Sequence, residues 1–156
     1  MTARVGIDPG LTGAVVFLAP DGDLLAVVDM PTLTSTTGRR EVNAAGLADL
    51  LRHYPGATVT VERVGPRPGE GAVGAFAFGH GFGTVLAVLA TLGHPTRLVQ
   101  PAVWKRWAGI PAGAPKDAAV AVAARMVPQA GPFLTLKKHH GRADAVLLAE
   151  YGRTHQ

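Results

Sequence analysis

The sequence predicts a single α/β domain over residues 1–156, with a mixed five-stranded sheet flanked by helices in the order βββαβαβαα. The first 30 residues contain three short apolar runs separated by Gly- and Pro-containing turns. Beyond them, segments with a helical period alternate with strand-like segments. Opening strands followed by alternating helices and strands are typical of a mixed sheet with helices on its faces. The chain shows no internal repeat and no linker.

The first half of the chain supplies four of the strands and one helix. The opening strands are predicted over 3–8, 14–19 and 24–30. The segment "PTLTSTTGRRE" reads as a polar loop. Asn43 is a plausible N-cap for the helix "AAGLADLLRHY", which Pro55 and Gly56 end. The fourth strand, over 57–64, alternates and places Val59 and Val61 on one face and Glu62 on the other.

The second half is mainly helical. We expect a loop "GPRPGEG", a long helix over about 72–92, a fifth strand over 96–100 and a short turn or helix "PAVWKRWAG". An amphipathic helix over 116–127 follows, then the loop "PQAGPF" and a last helix over about 142–151. The long helix contains four glycines. Each costs about 0.5–1 kcal/mol relative to Ala, so they predict close approach of a partner subunit or of the sheet.

Composition excludes several classes of site. The chain has no Cys, which removes disulfides, thiolate nucleophiles and Cys-based zinc sites. Any metal would bind oxygen or imidazole ligands, which favours Mg²⁺ or Mn²⁺. No run of 18 apolar residues occurs, so we expect no membrane span and no membrane partner. The N-terminus shows no apolar signal region, which predicts a cytoplasmic protein, and the sequence leaves a bacterial and a phage origin both open.

Charge is distributed unevenly along the chain. Residues 1–65 hold five Lys or Arg and seven Asp or Glu, whereas residues 66–156 hold ten and four. A basic second half suits a polyanionic partner. The net charge of +4 is also consistent with solubility alone, so charge by itself is weak support for nucleic-acid binding.

Three acids occupy notable positions. Asp8 ends the first strand, Glu62 lies near the end of the fourth, and Asp144 is placed in the first turn of the last helix. Each has an ordinary explanation as a turn residue, a face-exposed acid or a helix N-terminal charge. One functional explanation covers all three, because strand ends and a helix start can meet at one sheet edge. Clustered carboxylates need cations to stay ionised, and with Mg²⁺ they would form a two-metal site for phosphodiester hydrolysis.

The segments "GIDPGLTGA", "VTVERV" and "HHGRADAVLLAEYG", in this order, resemble the RuvC family of Holliday junction resolvases within the RNase H-like superfamily. The resemblance covers nearly the whole chain. It implies a homodimeric endonuclease that cuts four-way DNA junctions with paired nicks for recombination and repair. It also implies two Mg²⁺ ions, or Mn²⁺ in their place, and no nucleotide cofactor. Asp8, Glu62 and Asp144 match the acids of the family's metal site.

One position departs from the family pattern. Many members have an acid or a His three residues before the last Asp, where this chain has Gly141. His140 lies one helical turn before Asp144 and is expected to be the fourth ligand or to orient the attacking water. Alternatively, His140 belongs to a solvated basic patch with Lys137 and Lys138. For His139, membership of this patch is the favoured interpretation.

The resemblance also implies roles for basic residues. Lys116 is expected to act in catalysis and Lys105 near the scissile phosphate, while Arg67 is expected to contact the junction. We further expect Lys137, Lys138 and Arg142 to bind DNA phosphates. The family often carries an aromatic residue in the loop that here reads "GPRPGEG". Phe76 and Phe78 follow that loop and would substitute for it, although core or dimer packing explains them better.

Three other functions share features with this sequence. An ATP-binding protein of the actin and sugar-kinase type also begins with a strand, an Asp and a Gly-rich turn, but it needs two domains around the nucleotide. A nuclease of the same fold acting on other branched DNA or on RNA–DNA hybrid stays open, because the metal chemistry is identical. A non-cutting junction-binding protein has no use for three clustered acids beside DNA.

Overall fold

The structure, a computed structural model, describes residues 2–155. Its seven strands are β1 (Arg4–Ile7), β2 (Ala14–Leu18), β3 (Leu24–Asp29), β4 (Thr32–Thr34), β5 (Arg40–Val42), β6 (Thr58–Glu62) and β7 (Thr96–Val99). Its α-helices are α1 (Ala44–Arg52), α2 (Ala72–Thr91), α3 (Pro101–Trp107), α4 (Ala118–Met126) and α5 (His140–Thr154). Two 3₁₀ turns span Pro128–Phe133 and Lys137–His139.

The main sheet confirms the predicted mixed five-stranded architecture. Its spatial order is β3-β2-β1-β6-β7, with β1, β2 and β3 antiparallel and β1, β6 and β7 parallel. In the parallel pair Ile7 lies opposite Val61, so Asp8 and Glu62 follow side by side at the carboxyl ends of their strands. Ligand sites of open α/β sheets form at this edge.

Helices cover both faces of the sheet. One core combines apolar residues of β1, β2 and β6 with α1 and α2, and it contains Val59 and Val61 as predicted. The other core lies between β2 and the helices α3, α4 and α5. Strand alternation therefore directs Asp8 and Glu62 toward the face that α3 and α5 cover.

Several predicted boundaries need correction. The polar segment 31–41 is not a loop: β4 and β5 pair as a hairpin, closed by hydrogen bonds between Ser35 and the 38–39 backbone. The helix α4 begins at Ala118 rather than Lys116, because 115–117 form a turn. The segment 128–133 is a 3₁₀ turn rather than a loop. Asn43 caps α1 as predicted, accepting the Gly46 N–H at 3.0 Å.

The last helix starts earlier than predicted. Because α5 begins at His140, Asp144 lies in its second turn and not in its first. The attraction between an acid and a helix N-terminus falls off within the first turn. The ordinary explanation of Asp144 as a helix-start charge is therefore weakened.

The long helix α2 differs from expectation in its exposure. By length and composition it is apolar enough to cross a membrane, with a mean hydropathy of 1.7. The sequence did not predict such a helix, because polar residues interrupt its apolar residues. Only 17% of that segment is buried within the chain. Its four glycines do not approach the sheet: the neighbours that a Cβ would meet are the side chains of Glu70 and Val42, or nothing within 4 Å. The glycines were predicted to allow close approach either of the sheet or of a partner subunit. Approach of a partner subunit is the explanation that stays open.

The helix α5 packs directly on the central strand because glycines stand at the points of closest contact. A Cβ at Gly6 of β1 would overlap the backbone of Ala145 and Ala149. At the start of α5, a Cβ at Gly141 would overlap the Thr12 carbonyl oxygen. These overlaps involve backbone atoms that cannot rotate away. The absence of two side chains therefore fixes how closely α5 approaches the sheet.

Gly6→Ala is expected to lower the free energy of unfolding by about 3 kcal/mol or more, because the methyl group forces α5 off β1. Denaturant unfolding measures this change. The matched control is Gly131→Ala, whose Cβ meets nothing within 4 Å, and it should stay within about 0.5 kcal/mol of the wild type. Equal stability of the two variants would contradict this account of the packing.

Candidate active site

A cavity of about 890 Å³ opens at the carboxyl ends of β1 and β6, bounded by α3, α5 and the segment 109–116. It brings together seven of the predicted site residues, which are Asp8, Glu62, Arg67, Lys105, Lys116, His140 and Asp144. These residues come from five separate parts of the chain. The fold therefore collects the acidic and basic groups that the sequence singled out.

Asp8 is held by the turn that follows β1. Its carboxylate accepts the Gly10 N–H at 3.1 Å, and a Cβ at Gly13 would overlap the Asp8 carbonyl group. The second glycine of "DPGLTG" is therefore required by the close approach of the backbone. Burial raises the pKa of the Asp8 carboxyl, while the Gly10 N–H and the nearby His140 oppose the rise.

Glu62 is held from the other side by α3. The buried Trp104 donates its indole N–H to Glu62 Oε2 at 2.8 Å. Burial raises the pKa of the Glu62 carboxyl, and the negative charge of Asp8 raises it further. The Trp104 hydrogen bond acts in the opposite direction, because it favours the ionised carboxylate.

Asp144 faces the two strand acids from α5. Burial, followed by the charges of Asp8 and Glu62, raises the pKa of the Asp144 carboxyl from 3.8 to about 8. Three carboxyl groups thus share one largely buried cavity, where the charge of Asp8 raises the pKa of both Glu62 and Asp144. Such a set favours a bound cation, which removes the repulsion.

The donor set fits a hard divalent cation. Three carboxylates with an imidazole at the edge suit Mg²⁺ or Mn²⁺ and exclude thiolate chemistry. Within residues 2–155, no three acidic or histidine side chains already converge on one point at coordination distance. A bound cation would therefore draw these side chains closer together.

The basic residues of the cavity surround the acids. Lys105 lies close enough to oppose the rise in pKa of Asp8, Glu62 and Asp144. Arg67 places its guanidinium 5.0 Å from the ring centroid of Phe78, which also lines the cavity. Phe76 is instead 79% exposed. Lys116 lies just before α4, so the expected position in a helix first turn was wrong.

A second, smaller cavity of about 300 Å³ adjoins the first, and both contain Leu11 and Thr12. Lys138, His139 and Arg142 line it together with Arg40. The guanidinium of Arg142 is already engaged, donating to both oxygens of Asp29 at 2.7 and 2.9 Å.

The two histidines and Lys137 have separate environments. His140 lines the main cavity, whereas His139 Nδ1 accepts the Leu136 N–H at 3.2 Å within its own turn. Lys137 lines neither cavity. Its side chain is 92% exposed, with Nζ 3.9 Å from Asp117.

Trp104 is the site residue that the sequence reasoning missed. The motif "VWKRW" drew attention to Lys105 alone. A buried Trp needs a partner for its N–H, and that requirement was the available signal. The partner lies 42 residues away in the sequence, so only the fold identifies it.

We expect the raised pKa of Asp144 to make metal-free stability depend on pH. Between pH 3.8 and about 8 the unfolded chain loses the proton that the folded protein keeps. The free energy of unfolding therefore falls as pH rises across this window and levels off above it. Asp144→Asn has no such carboxyl group and should not lose stability in this way. In chelator, the melting temperature of Asp144→Asn should exceed that of the wild type by more at pH 8 than at pH 5. Each kcal/mol of unfolding free energy corresponds to about 2–4 °C.

Thermal unfolding across this pH range measures the difference. The control Asp49→Asn, which removes an exposed acid of α1 beside Arg52, should show no such widening. A constant difference between Asp144→Asn and the wild type would contradict the assignment of a buried, proton-holding carboxyl.

Comparison with known proteins agrees with this geometry. No protein-family model matches the chain. The chloroplastic Holliday junction resolvase MOC1 of Chlamydomonas reinhardtii is 33% identical over 124 residues, which is 76% of this chain. The chain spans only 14% of the length of that protein.

Two solved structures of Thermus thermophilus RuvC share the fold. RuvC in complex with a Holliday junction substrate superposes with a TM-score of 0.66 at 21% identity, covering 96% of this chain and 90% of the RuvC chain. A second RuvC structure gives a TM-score of 0.61 at 22% identity, covering 98% and 96%. The resemblance to RuvC resolvases that the three motifs predict is thus confirmed, and the chain has the RuvC, RNase H-like fold.

Proposed function

We propose that the protein is a metal-dependent endonuclease that resolves four-way DNA junctions by paired symmetric nicks, leaving 5′-phosphate ends. The observation that carries this proposal is the convergence of Asp8, Glu62 and Asp144 from two strand ends and one helix in a single cavity with basic walls. The RuvC fold and the sequence similarity to a junction resolvase support it.

The acids would hold divalent cations. Asp8, Glu62 and Asp144 would provide the carboxylates, with His140 as fourth ligand or as the group that orients water. A pair of Mg²⁺ ions, when bound, supplies Lewis-acid activation of a water molecule and neutralises charge at the leaving 3′-oxygen. Asp144 must release its proton before it can act as a ligand, so its raised pKa links metal affinity to pH.

The lysines of the cavity would act on the phosphate. Lys105 and Lys116 face the same space as the acids and would stabilise negative charge that develops on the scissile phosphate. Arg67 would contact the junction next to them. The ring of Phe78 lies under the Arg67 guanidinium and lines the same cavity, outside both core clusters.

The adjoining cavity offers a path for the DNA strand beyond the cleavage point. Lys138 faces it, whereas Arg142 contributes less free charge because Asp29 already neutralises it. Lys137, outside both cavities, would contact phosphates only at the periphery. Replacing Lys138 by Gln should reduce the slope of log affinity against log salt by about 0.9 for junction DNA, as measured by fluorescence anisotropy. An unchanged slope would remove Lys138 from the DNA contact.

The proposed activity is tested with a labelled four-way junction beside a linear duplex and a flap, each in Mg²⁺, in Mn²⁺ and in chelator. The wild type should produce paired nicks on the junction only when a metal is present. Asp144→Asn should abolish cutting and leave junction binding intact or stronger, because it removes a ligand and a negative charge near DNA. Asp49→Asn should cut like the wild type.

The substrates separate the remaining alternatives. Cutting of the flap but not of the junction would move the protein to nucleases of other branched DNA. Tight junction binding without cutting in any metal would make it a structural binder. Metal-independent cutting, or full activity of Asp144→Asn, would contradict the proposed site.

We further propose that the protein is a homodimer through α2. Phe76, Gly79, Gly83, Ala87 and Ala90 are exposed at a spacing that places them on one side of this helix. Small residues allow another helix to approach closely, and a four-way junction with approximate two-fold symmetry suits two matched sites. A second copy would cover the apolar surface that the chain itself leaves exposed.

Ala87→Arg is expected to convert the protein from a dimer to a monomer, because it places a charge within this surface. Light scattering coupled to size-exclusion chromatography measures the mass in solution. Ala121→Arg, on the exposed side of α4, is the matched control and should stay dimeric. A monomeric wild type, or one that partitions into lipid vesicles instead of dimerising, would contradict this interface.

A further inference from the structure

Trp104 joins the hydrophobic core to the acidic cavity. Its side chain is fully buried in the cluster formed by α3, α4, α5 and β2. The edge of its indole ring nevertheless reaches Glu62 at the end of β6, with 2.8 Å between Nε1 and Oε2. A rigid core residue therefore holds a carboxylate that faces the cavity.

The chemistry of this contact is directional. Indole N–H is a donor only, so it binds the carboxylate without competing for a cation. Within residues 2–155, the Glu62 carboxylate has no other hydrogen-bond partner. The Oε1 atom and one lone pair of Oε2 stay available to a ligand. A single charge-neutral donor thus fixes the orientation of Glu62 and leaves its metal-binding capacity free.

The face of the same ring contacts a second functional group. Lys105 Nζ lies 5.3 Å from the centroid of a Trp104 ring, within the range of a cation–π interaction. Lys105 lines the cavity beside Glu62. The edge of the Trp104 indole ring therefore positions the Glu62 carboxylate, and the face of the ring positions the Lys105 ammonium group.

We propose that Trp104 is a positioning residue that presents Glu62 to a divalent cation and holds Lys105 beside it. This inference rests on the proposed metal-dependent function. Partners that orient metal ligands from behind typically change metal affinity by 10–100-fold when they are removed. A Trp that only fills the core would contribute to stability and not to cation binding.

Trp104→Phe tests the role of the N–H, because it keeps an aromatic ring in the core and removes the donor. We expect Mn²⁺, titrated into DNA-free protein and followed by electron paramagnetic resonance, to bind at least about tenfold more weakly than to the wild type. Trp107→Phe is the matched control on the same helix. Trp107 contacts Tyr151 and His155, outside the cavity, and its replacement should leave Mn²⁺ affinity unchanged.

A second measurement does not depend on the folding of Trp104→Phe. The chain has two Trp residues, so Trp107→Phe leaves Trp104 as the only indole fluorophore. Saturating Mg²⁺ should shift its emission, because the charge around its hydrogen-bond partner changes. Mg²⁺ binding seen by calorimetry without any change in emission would overturn the inference.

The outcomes separate this inference from the function on which it rests. A wild type that binds no Mn²⁺ would contradict the metal site itself, and the role of Trp104 with it. A wild type that binds Mn²⁺ while Trp104→Phe binds it equally well would overturn the role of Trp104 alone. Weaker Mn²⁺ binding in both Trp variants would assign the effect to general destabilisation of α3 and would also overturn the inference.

Discussion

The close packing of α5 on the central strand is the constraint on which the rest of the structure depends. Because Gly6 and Gly141 have no side chains, the helix backbone lies directly against β1 and against the turn after it. Asp144 is carried by that helix and Asp8 by that strand. A larger separation would leave the acids in separate solvated positions. The packing of two backbones therefore creates the electrostatic conflict in the cavity.

That conflict is what makes the cavity suited to chemistry. Burial raises the pKa of all three carboxyl groups, and at Asp144, where the charges of Asp8 and Glu62 add to the effect of burial, the pKa is raised to about 8. Stability alone would favour an apolar or neutral residue at each position. Because this arrangement costs folding free energy that bound cations would offset, metal binding would be linked to the order of the site. Trp104 and Gly10 reduce the cost by donating hydrogen bonds to Glu62 and Asp8.

The helix α2 has a second unusual feature, because most of its apolar surface is exposed rather than buried within the chain. The helix is apolar on most sides, yet only one side of it packs on α1 and the sheet. A Cβ at Gly79 or Gly83, both on the exposed side, would meet nothing within 4 Å. An apolar surface of this kind gains free energy when it is removed from water. The proposed two-fold junction resolution gives this surface a use, because two active sites must be held at a fixed separation.

The sequence by itself determined the local patterns and singled out the candidate site residues. Strand alternation and turn glycines predicted the five-stranded sheet, Asn43 predicted the start of α1, and three short motifs singled out Asp8, Glu62 and Asp144. Local patterns were less reliable where hydrogen bonds between segments decide the structure, as in the β4–β5 hairpin and the starts of α4 and α5. Only the tertiary structure decided how the acids meet, which histidine enters the cavity and what Trp104 contacts. These are relations between residues that lie far apart in the chain, and no local period encodes them.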